Sequence, residues 1–304
     1  MIRPRELSSS LTPFAARTPT LLPATHTNSY ALGGREVLLV EPATPYEDEQ
    51  REWLAWAREI ASTGRSIVAI FATHHHPDHI GGAELLSREL QLPIWAHEET
   101  ASRIDVPVAR RLVDGDEIVL AGPRDEAWQV LHTPGHAPGH VCLFEPRSRT
   151  AIVGDMVASV GTILIAPGDG DMTLYLEQLE RLARLDAFVA LPAHGEPIDE
   201  PAVLFRRYIT HRRMREEKIF AAIAATEDGD DVKAGGQEAS SHGITSLELV
   251  PKAYDDVPPM LWPIAKLSID AHLEKLEREG RICRAARVGA RGVTPREDAF
   301  CVVR

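Results

Sequence analysis

From about Thr20 to His194 the chain alternates short apolar runs with turn signals and helical stretches. Two of these runs, EVLLVEP (residues 36–42) and SIVAIFAT (residues 66–73), are almost entirely apolar, as is typical of buried strands. Between them, the segment DEQREWLAWAREIAS places its apolar residues at helical spacing. This alternation predicts a layered α/β fold.

The same pattern continues towards His194. VCLFEP and TAIVGD flank the turn-like residues 147–149 and predict a hairpin of two core strands. Asp171 can cap a following helix. The apolar side of that helix is predicted to consist of Leu176, Leu179, Leu182 and Leu185. FVALPAHG then predicts one more buried strand that ends in a loop.

After His194 the pattern changes. FRRYITHRRMREEKIFAAIAA predicts a long, basic amphipathic helix, and the Gly-, Asp- and Ser-rich residues 227–242 predict a flexible loop or linker. Thr245 or Ser246 can cap the next helix. A further helix, residues 263–280, has an imperfect apolar stripe of Ile264, Leu267, Ile269, Leu273 and Leu276. The end of the chain predicts two short strands around a turn, and two helices followed by a hairpin are the plan of a winged helix.

Composition limits the classes of function. With 304 residues, 44% hydrophobic and 26% charged, the chain suits one large globular domain or a core domain plus a small one. The net charge of −12 argues against a broad nucleic-acid-binding surface, although a local basic patch stays open. We expect no membrane span, because no run of about 18 apolar residues occurs.

The first residues and the cysteines indicate where the protein works. The first 20 residues lack an apolar central stretch, which argues against a secretory signal; an organellar transit peptide has a similar composition, but we favour an N-terminal arm. Cys142, Cys283 and Cys301 are widely spaced and form no CxxC pair, which favours free thiols over a disulfide framework. Both observations favour a cytoplasmic protein.

The segment ATHHHPDHIGG carries the strongest chemical signal. It follows a predicted strand, and a tight loop would present His74, His76, Asp78 and His79 before a helix that begins at Gly81 or Gly82. Alternate residues of such a loop can aim at one point, so His74 and His76 can bind one metal ion. Asp78 and His79 can bind a second ion beside it. Imidazole and carboxylate groups suit zinc, and also iron or manganese.

Four ligands cannot complete two metal spheres, so the hypothesis requires more ligands downstream. VLHTPGH offers His136, TAIVGD offers Asp155 and LPAHGEP offers His194. Each follows a predicted strand, and the end of a buried strand places a polar residue at the rim of a sheet, where binding sites commonly lie. The sequence therefore predicts a metal centre of five histidines and two aspartates.

HxHxDH, TPGH, GD and a late histidine together resemble the metallo-β-lactamase superfamily over residues 20–200. The resemblance implies a four-layer αββα sandwich and two metal ions, most simply two Zn²⁺. It assigns His74, His76 and His136 to the first ion. Asp78, His79 and His194 are assigned to the second, and Asp155 bridges both.

The tail motifs PAHGEPI, LELVPKAYDDVP and HLEKLEREGRI resemble the branch that contains animal β-lactamase-like protein 2. There a winged-helix domain follows the catalytic one. We therefore predict a catalytic domain over residues 1–210, a helix and flexible connector over 211–244, and a small winged-helix domain over 245–304.

The predicted function is zinc-dependent hydrolysis by a metal-bound hydroxide, with Asp78 and Asp155 as the catalytic carboxylates. A small acyl substrate (a thioester, ester or lactone) is favoured. The alternative is a single-stranded RNA endoribonuclease, which the resemblance implies, with hairpin arginines Arg281, Arg284, Arg287 and Arg291 holding phosphates. A mononuclear iron dioxygenase is a lesser alternative, and homodimer formation stays open.

Several residues near the predicted ligands are expected to have structural roles rather than to bind metal or substrate. His75 should point away from the metals, and His140 should support or pack against the site rather than bind a metal. His132 is expected to be structural. Asn28 and Tyr30 are expected to belong to a turn rather than to touch substrate.

Overall fold

The computed structural model describes residues 11–231, 243–289 and 292–303. The chain divides into two units. The first runs as far as Ile163 and includes Glu177–Arg206, and the second consists of Leu164–Leu176 and the chain from Arg207 onward. The domain boundaries proposed from the sequence at 210 and 244 stay predictions.

The first sheet has six strands in sequential order. They are β1 (Leu11–Arg17), β2 (His26–Leu32), β3 (Glu36–Val40), β4 (Ser66–Phe71), β5 (Ile94–His97) and β6 (Val108–Leu112). The first three strands pair antiparallel, and β3 to β6 pair parallel. Parallel neighbours need crossover connections, which explains the interleaved helices. These are α1 (Glu47–Ser62), α2 (Pro77–Ile80), α3 (Ala83–Leu90) and α4 (Glu98–Ala101).

The second sheet has five strands in the order β11-β10-β9-β8-β7. Their bounds are β7 (Glu117–Leu120), β8 (Glu126–His132), β9 (Val141–Glu145), β10 (Thr150–Gly154) and β11 (Val189–Pro192). The predicted hairpin is β9 and β10, with Thr150 opposite Glu145. β11 joins β10 in parallel after the helix α5 (Met172–Leu182).

The two sheets pack face to face, and β3 shows why its sequence is continuously apolar. Leu38 and Val40 enter a core shared by the inner faces of both sheets, whereas Val37 and Leu39 pack on the other face with Trp53 of α1. Successive side chains of a strand point to opposite faces, so a strand covered on both sides needs no polar residue. The layered αββα sandwich expected from the sequence is confirmed.

Two helix predictions need correction. Asp171 caps α5 through the backbone N–H of Leu174 at 3.0 Å, as predicted, but Leu185 lies beyond the helix and is only half-buried. The basic helix is α6 (Pro201–Asp231), so residues 227–231 are helical rather than part of a loop. Residues 232–242 of the predicted loop lie outside the described residues. Across the described ranges, no helix combines the length and apolar character needed to cross a bilayer.

The second unit contains the predicted winged helix. Its elements are β12 (Ile244–Thr245), α7 (Ser246–Ala253), a 3-10 turn (Pro259–Leu261), α8 (Trp262–Arg278), β13 (Ile282–Gly289) and β14 (Gly292–Val302). Thr245, one of the two residues that the sequence offered as a cap, caps α7 in a reciprocal capping box with Glu248. Ile219 and Ile223 of α6 share the core of these elements.

The apolar stripe of α8 differs from the prediction at two positions. Ile264 is only half-buried and lies outside the core. Leu267 is 40% exposed, and Ala265 takes its place in the core. Ala265, Ile269 and Leu273 follow each other at intervals of four residues, which keeps them on one face of the helix. Leu267 falls two residues away from that series and therefore points outward.

Shortening a side chain between the two sheets should destabilise the first unit. Leu143 of β9 is fully buried in the shared core. We expect Leu143→Ala to lower the free energy of unfolding by about 2–5 kcal/mol, because it removes apolar contacts and leaves a cavity. Chemical denaturation followed by tryptophan fluorescence measures this change. Val119→Ala, on an edge strand at 57% exposure, should cost less than about 1 kcal/mol, and equal losses would contradict the packing described.

Candidate metal centre

Four strand ends deliver the residues that the sequence singled out as metal ligands. His74 and His76 follow β4, His136 follows β8, Asp155 follows β10 and His194 follows β11. Asp78 and His79 lie on α2, a single helical turn that begins at Pro77, where the sequence had predicted a loop. Proline favours the first position of a helix because its φ angle is already helical.

The two glycines after α2 let this turn pack against the loop that follows β3. A Cβ atom on Gly81 would lie 2.7 Å from the carbonyl oxygen of Pro77 and 2.8 Å from the nitrogen of Pro45. A Cβ on Gly82 would lie 3.0 Å from the carbonyl oxygen of Thr44. Any side chain at Gly81 would push the turn outward, so the glycines hold Asp78 and His79 at their observed depth. The predicted helix begins at Ala83, directly after them.

Three histidine side chains meet in the first cluster. The Nδ1 atom of His76 lies 3.0 Å from Nε2 of His74 and 2.9 Å from Nε2 of His136. All three nitrogen atoms lie within 4.8 Å of one another. His74 is fully buried and His136 nearly so. Converging imidazole nitrogens at this separation suit a zinc-like ion, whose nitrogen ligands sit at about 2.0–2.1 Å.

Asp78, His79 and His194 form the second cluster, and their ligand atoms also lie within 4.8 Å of one another. The Oδ2 atom of Asp78 lies 3.8 Å from Nε2 of His79 and 3.5 Å from Nε2 of His194. The far side of each ring is fixed. His79 donates from Nδ1 to the carboxylate of Glu41, and His194 donates from Nδ1 to the carbonyl oxygen of His26. Each Nε2 atom is thereby left as the acceptor that a metal requires.

Asp155 lies between the two clusters. Its Oδ2 atom is 3.4 Å from Nε2 of His136 in the first cluster and 3.6 Å from Nε2 of His79 in the second. Its Oδ1 atom is 3.3 Å from Nε2 of His194. The buried Oδ1 atom of Asp155 and Nε2 atom of His79 have no hydrogen-bond partner within the described residues. Buried polar atoms are costly without a partner, so this pair of orphaned atoms fits a cation between the clusters.

Electrostatics favour the metal-binding forms in the first cluster and at Asp155. Burial and then the neighbouring His79 hold the pKa of His74 well below its usual value. Burial and then His136 lower the pKa of His76 to about 4. Burial alone would raise the pKa of Asp155, but His194 and His79 outweigh it and hold that pKa well below the usual range. Neutral imidazoles and an ionised carboxylate are the forms that bind metal. In the second cluster burial lowers the pKa of His79 and of His194, but the neighbouring carboxylates outweigh it and raise both pKa values, so a bound metal ion would displace protons there.

Glu41 is a functional residue that the sequence analysis missed. Its carboxylate is 1% exposed and accepts hydrogen bonds from Nδ1 of His79 at 3.1 Å and from Oγ1 of Thr73 at 2.5 Å. The Oγ1 atom of Thr73 lies 3.0 Å from Nδ1 of His74 and can accept a hydrogen bond from it. One buried carboxylate therefore orients a histidine in each cluster. Its backbone φ of +62°, unusual for a side chain of this size, marks a position held by its surroundings.

The signal for Glu41 was present in the sequence. It stands directly after β3, as Asp155 stands directly after β10, and β3 pairs in parallel with the strand that leads to His74. The argument that strand ends converge at one rim applies equally to EVLLVEP.

His140 supports the centre rather than joining either histidine cluster. It is fully buried, and its Nε2 atom accepts the backbone N–H of Asp155 at 3.0 Å. Its Nδ1 atom lies 2.8 Å from Oγ1 of Thr133 and donates to it. A Cβ on Gly154 would lie 2.5 Å from Nε2 of His140, so glycine is needed before Asp155. His140 thus fixes the backbone from which Asp155 reaches the clusters.

The remaining neighbours have structural contacts. Asn28 and Tyr30 lie in β2, not in the turn expected from the sequence. Both donate to the carbonyl oxygen of Pro192, and Asn28 also donates to that of Gly195, so they anchor the loop that carries His194. His132 stacks on His97 with ring centroids 4.0 Å apart, and His75 is half-buried beside the first cluster.

Comparison with known proteins agrees with this geometry. Residues 22–194 match the model of the Metallo-beta-lactamase superfamily, and residues 245–290 match the Beta-lactamase associated winged helix domain. A Beta-lactamase-like protein 2 homolog of Drosophila melanogaster is 25% identical over 288 residues, which cover 91% of this chain and 90% of the relative. A protein of Emericella nidulans named thioesterase pkgB is 27% identical over an alignment that covers 79% of this chain and 66% of the relative.

Solved structures show the same fold. A Beta-lactamase domain protein from Burkholderia ambifaria superposes with a TM-score of 0.76 at 20% identity, covering 99% of this chain and 93% of its own. A metallo-beta-lactamase family protein from Thermus thermophilus gives a TM-score of 0.68 at 23% identity, with 96% and 98% covered.

Glu41→Gln tests whether the buried carboxylate orients the histidines. The amide keeps the volume but removes the negative charge beside His79, and its NH2 group cannot accept the backbone N–H of Thr73 that Oε2 of Glu41 accepts at 3.4 Å. We expect metal affinity to fall by about 10- to 100-fold, as is usual when a residue that supports metal ligands is lost. Competition with a chromophoric chelator measures the affinity. Glu47→Gln is the matched control at an exposed glutamate, and equal affinities for all three proteins would contradict the role of Glu41.

Proposed function

The chain belongs to the metallo-β-lactamase superfamily, and we propose that it is a zinc-dependent hydrolase of a small acyl compound: a thioester, ester or lactone. Hydrolysis as the class of reaction follows from the family. The metal identity, the number of ions and the acyl substrate are the parts that we propose. The observation that carries the proposal is the meeting of the two ligand clusters on the single carboxylate of Asp155.

The donor set suits two divalent ions. Bound zinc would supply a water with its pKa lowered towards about 7 and positive charge to polarise the substrate carbonyl. Asp155 reaches both clusters, so it holds them at a fixed separation and stabilises positive charge there. The side chain of Asp78 is 16% exposed, whereas that of Asp155 is 9% exposed. We therefore assign Oδ2 of Asp78 as the atom that accepts the proton of the attacking water. Glu41 and His140 keep the surrounding rings and backbone in place.

An apolar lip beside His194 favours an acyl substrate. Oγ1 of Thr20 lies 3.4 Å from Nε2 of His194, and the next two residues, Leu21 and Leu22, are 48% and 77% exposed. Val160 is 37% exposed and lies on the loop that follows Asp155. In that loop Gly161 comes close to Pro23, the residue directly after Leu22. Exposed apolar side chains grouped beside a polar centre are typical of a ligand-binding surface. The name thioesterase carried by one relative supports the same substrate class.

The winged-helix arginines give less support to the RNA alternative. Arg284 is held by both carboxylate oxygens of Glu277, and Arg281 lies within 3.4 Å of Glu216 and Glu217. Carboxylate partners neutralise the charge that phosphate binding would use. The side chain of Arg287 and all of Arg291 lie outside the described residues. The second cluster also favours a binuclear centre over a mononuclear iron site.

The decisive experiment is a substrate panel. Zinc-loaded protein is assayed on acyl thioesters, esters, lactones, a phosphodiester and a short single-stranded RNA. We expect an acyl compound to give the highest kcat/KM, and Asp155→Asn to lower that value by at least about 100-fold, because both clusters lose their shared charge. Asp105→Asn, at an exposed site away from the clusters, should leave it unchanged. RNA as the preferred substrate would overturn the acyl assignment, and an active Asp155→Asn variant would overturn the site.

The apolar lip predicts a dependence on acyl-chain length. Leu22→Ser should raise KM about fivefold for a long-chain acyl substrate, because about 1 kcal/mol of apolar contact is lost. KM for an acetyl substrate should stay the same, since a short chain does not reach the lip. Steady-state kinetics on the matched substrates measure both values. Phe188→Ser removes a similarly exposed apolar side chain at the opposite end of β11, and an equal rise in that variant would argue against a local contact.

A further inference from the structure

Two cysteines face each other in the second unit. Cys283 of β13 and Cys301 of β14 are direct partners in the antiparallel register, and their Sγ atoms lie 2.9 Å apart. Both are reduced cysteines and both are half-buried, whereas Cys142 of the first unit is fully buried. Their sequence separation had indicated unrelated thiols. Only the hairpin brings them together.

The backbone geometry at this pair suits a covalent bridge. Directly opposed residues of antiparallel strands have Cα atoms about 4.5–5.5 Å apart. Disulfides span Cα distances of about 4.4–6.8 Å. The register is also held on both sides, because the adjacent pairs are Ile282 with Val302 and Arg284 with Phe300. Ile282 and Phe300 are buried in the core of the unit, so the strands cannot slide past each other.

We propose that Cys283 and Cys301 form a site of reversible oxidation that reacts with low-molecular-weight disulfides such as oxidised glutathione. The thiolate of one cysteine attacks a sulfur of the oxidant, forms a mixed disulfide and releases one glutathione thiolate. The second cysteine loses its proton and attacks the protein sulfur of that mixed disulfide, which releases the second glutathione. Two protein thiols are oxidised, one oxidised glutathione is reduced to two thiols, and the two protons pass to them.

The arrangement favours the second step over a stable mixed disulfide. The resolving thiol already lies against the sulfur that it must attack, so the intramolecular reaction has a high effective concentration. The product would join the start of β13 to the end of β14 and keep the hairpin paired. Cys142 has no part in this chemistry, because burial raises the pKa of its thiol to about 12 and keeps it protonated.

The test is mass spectrometry of the full-length protein after exposure to oxidised glutathione. The reduced protein should lose two hydrogen atoms in mass, lose two of its three titratable thiols and yield a peptide that joins Cys283 to Cys301. Dithiothreitol should restore both thiols. The thermal midpoint of the oxidised form should be higher, because the bridge restricts the unfolded hairpin. These readouts need no metal and no substrate, so they are independent of the proposed hydrolase function.

Two single variants provide the matched controls. Cys283→Ser and Cys301→Ser each keep one thiol of the pair, so each should gain one glutathione and form no internal bridge. A wild-type protein that retains bound glutathione without a bridge would overturn the proposal. So would a wild-type protein that forms the bridge only after it has been unfolded by denaturant.

Discussion

The constraint on which this structure depends is the crowding of ionisable side chains at one end of a sandwich whose interior is apolar. In the first cluster a ring nitrogen of His76 lies at hydrogen-bond distance from one of His74 and one of His136, and the carboxylate of Asp155 lies against rings from both clusters. Burying such groups costs several kcal/mol unless opposite charge is close by. A bound metal cation would supply that charge, and folding of the rim would then be thermodynamically linked to metal binding. The superfamily to which the chain belongs meets this constraint with metal ions.

The candidate ligands stand on loops and on the single helical turn α2, and their positions depend on a set of buried hydrogen bonds beneath them. Glu41 holds His79 directly and His74 through Thr73. His140 holds the backbone of Asp155, and Asn28 and Tyr30 hold the loop of His194. Loops are usually the more mobile parts of a fold. Here every loop that carries a second-cluster ligand or Asp155 is tied to a strand or to another buried side chain.

The second unit has its own chemistry. Its core is completed by Ile219 and Ile223 of α6, so the long helix belongs to this core through its second half. The carboxylate of Glu216 is buried there and accepts from His272 and Lys275. Among the described side chains beside the hairpin, Arg281 pairs with Glu216 and Glu217, and Arg284 pairs with Glu277. The same hairpin brings together two thiols that the chain separates by many residues.

The sequence by itself determined the fold class, several of the strands that precede the candidate ligands and the seven residues that the structure brings together at one rim. Strand patterns and ligand residues are local properties, and a polar residue after a buried strand can be recognised from its neighbours alone. The sequence marked Glu41 only as a polar residue after a predicted strand; its role beside Thr73 and His79, which lie more than 30 positions further along, appears only in the folded chain. Sequence analysis placed Asp78 and His79 in a loop, because a four-residue helix is too short to show the helical spacing of apolar residues. The exposure of Leu267 and the pairing of Cys283 with Cys301 were likewise decided by packing, since the path of the folded chain, and not the spacing of residues along it, sets which side chains meet.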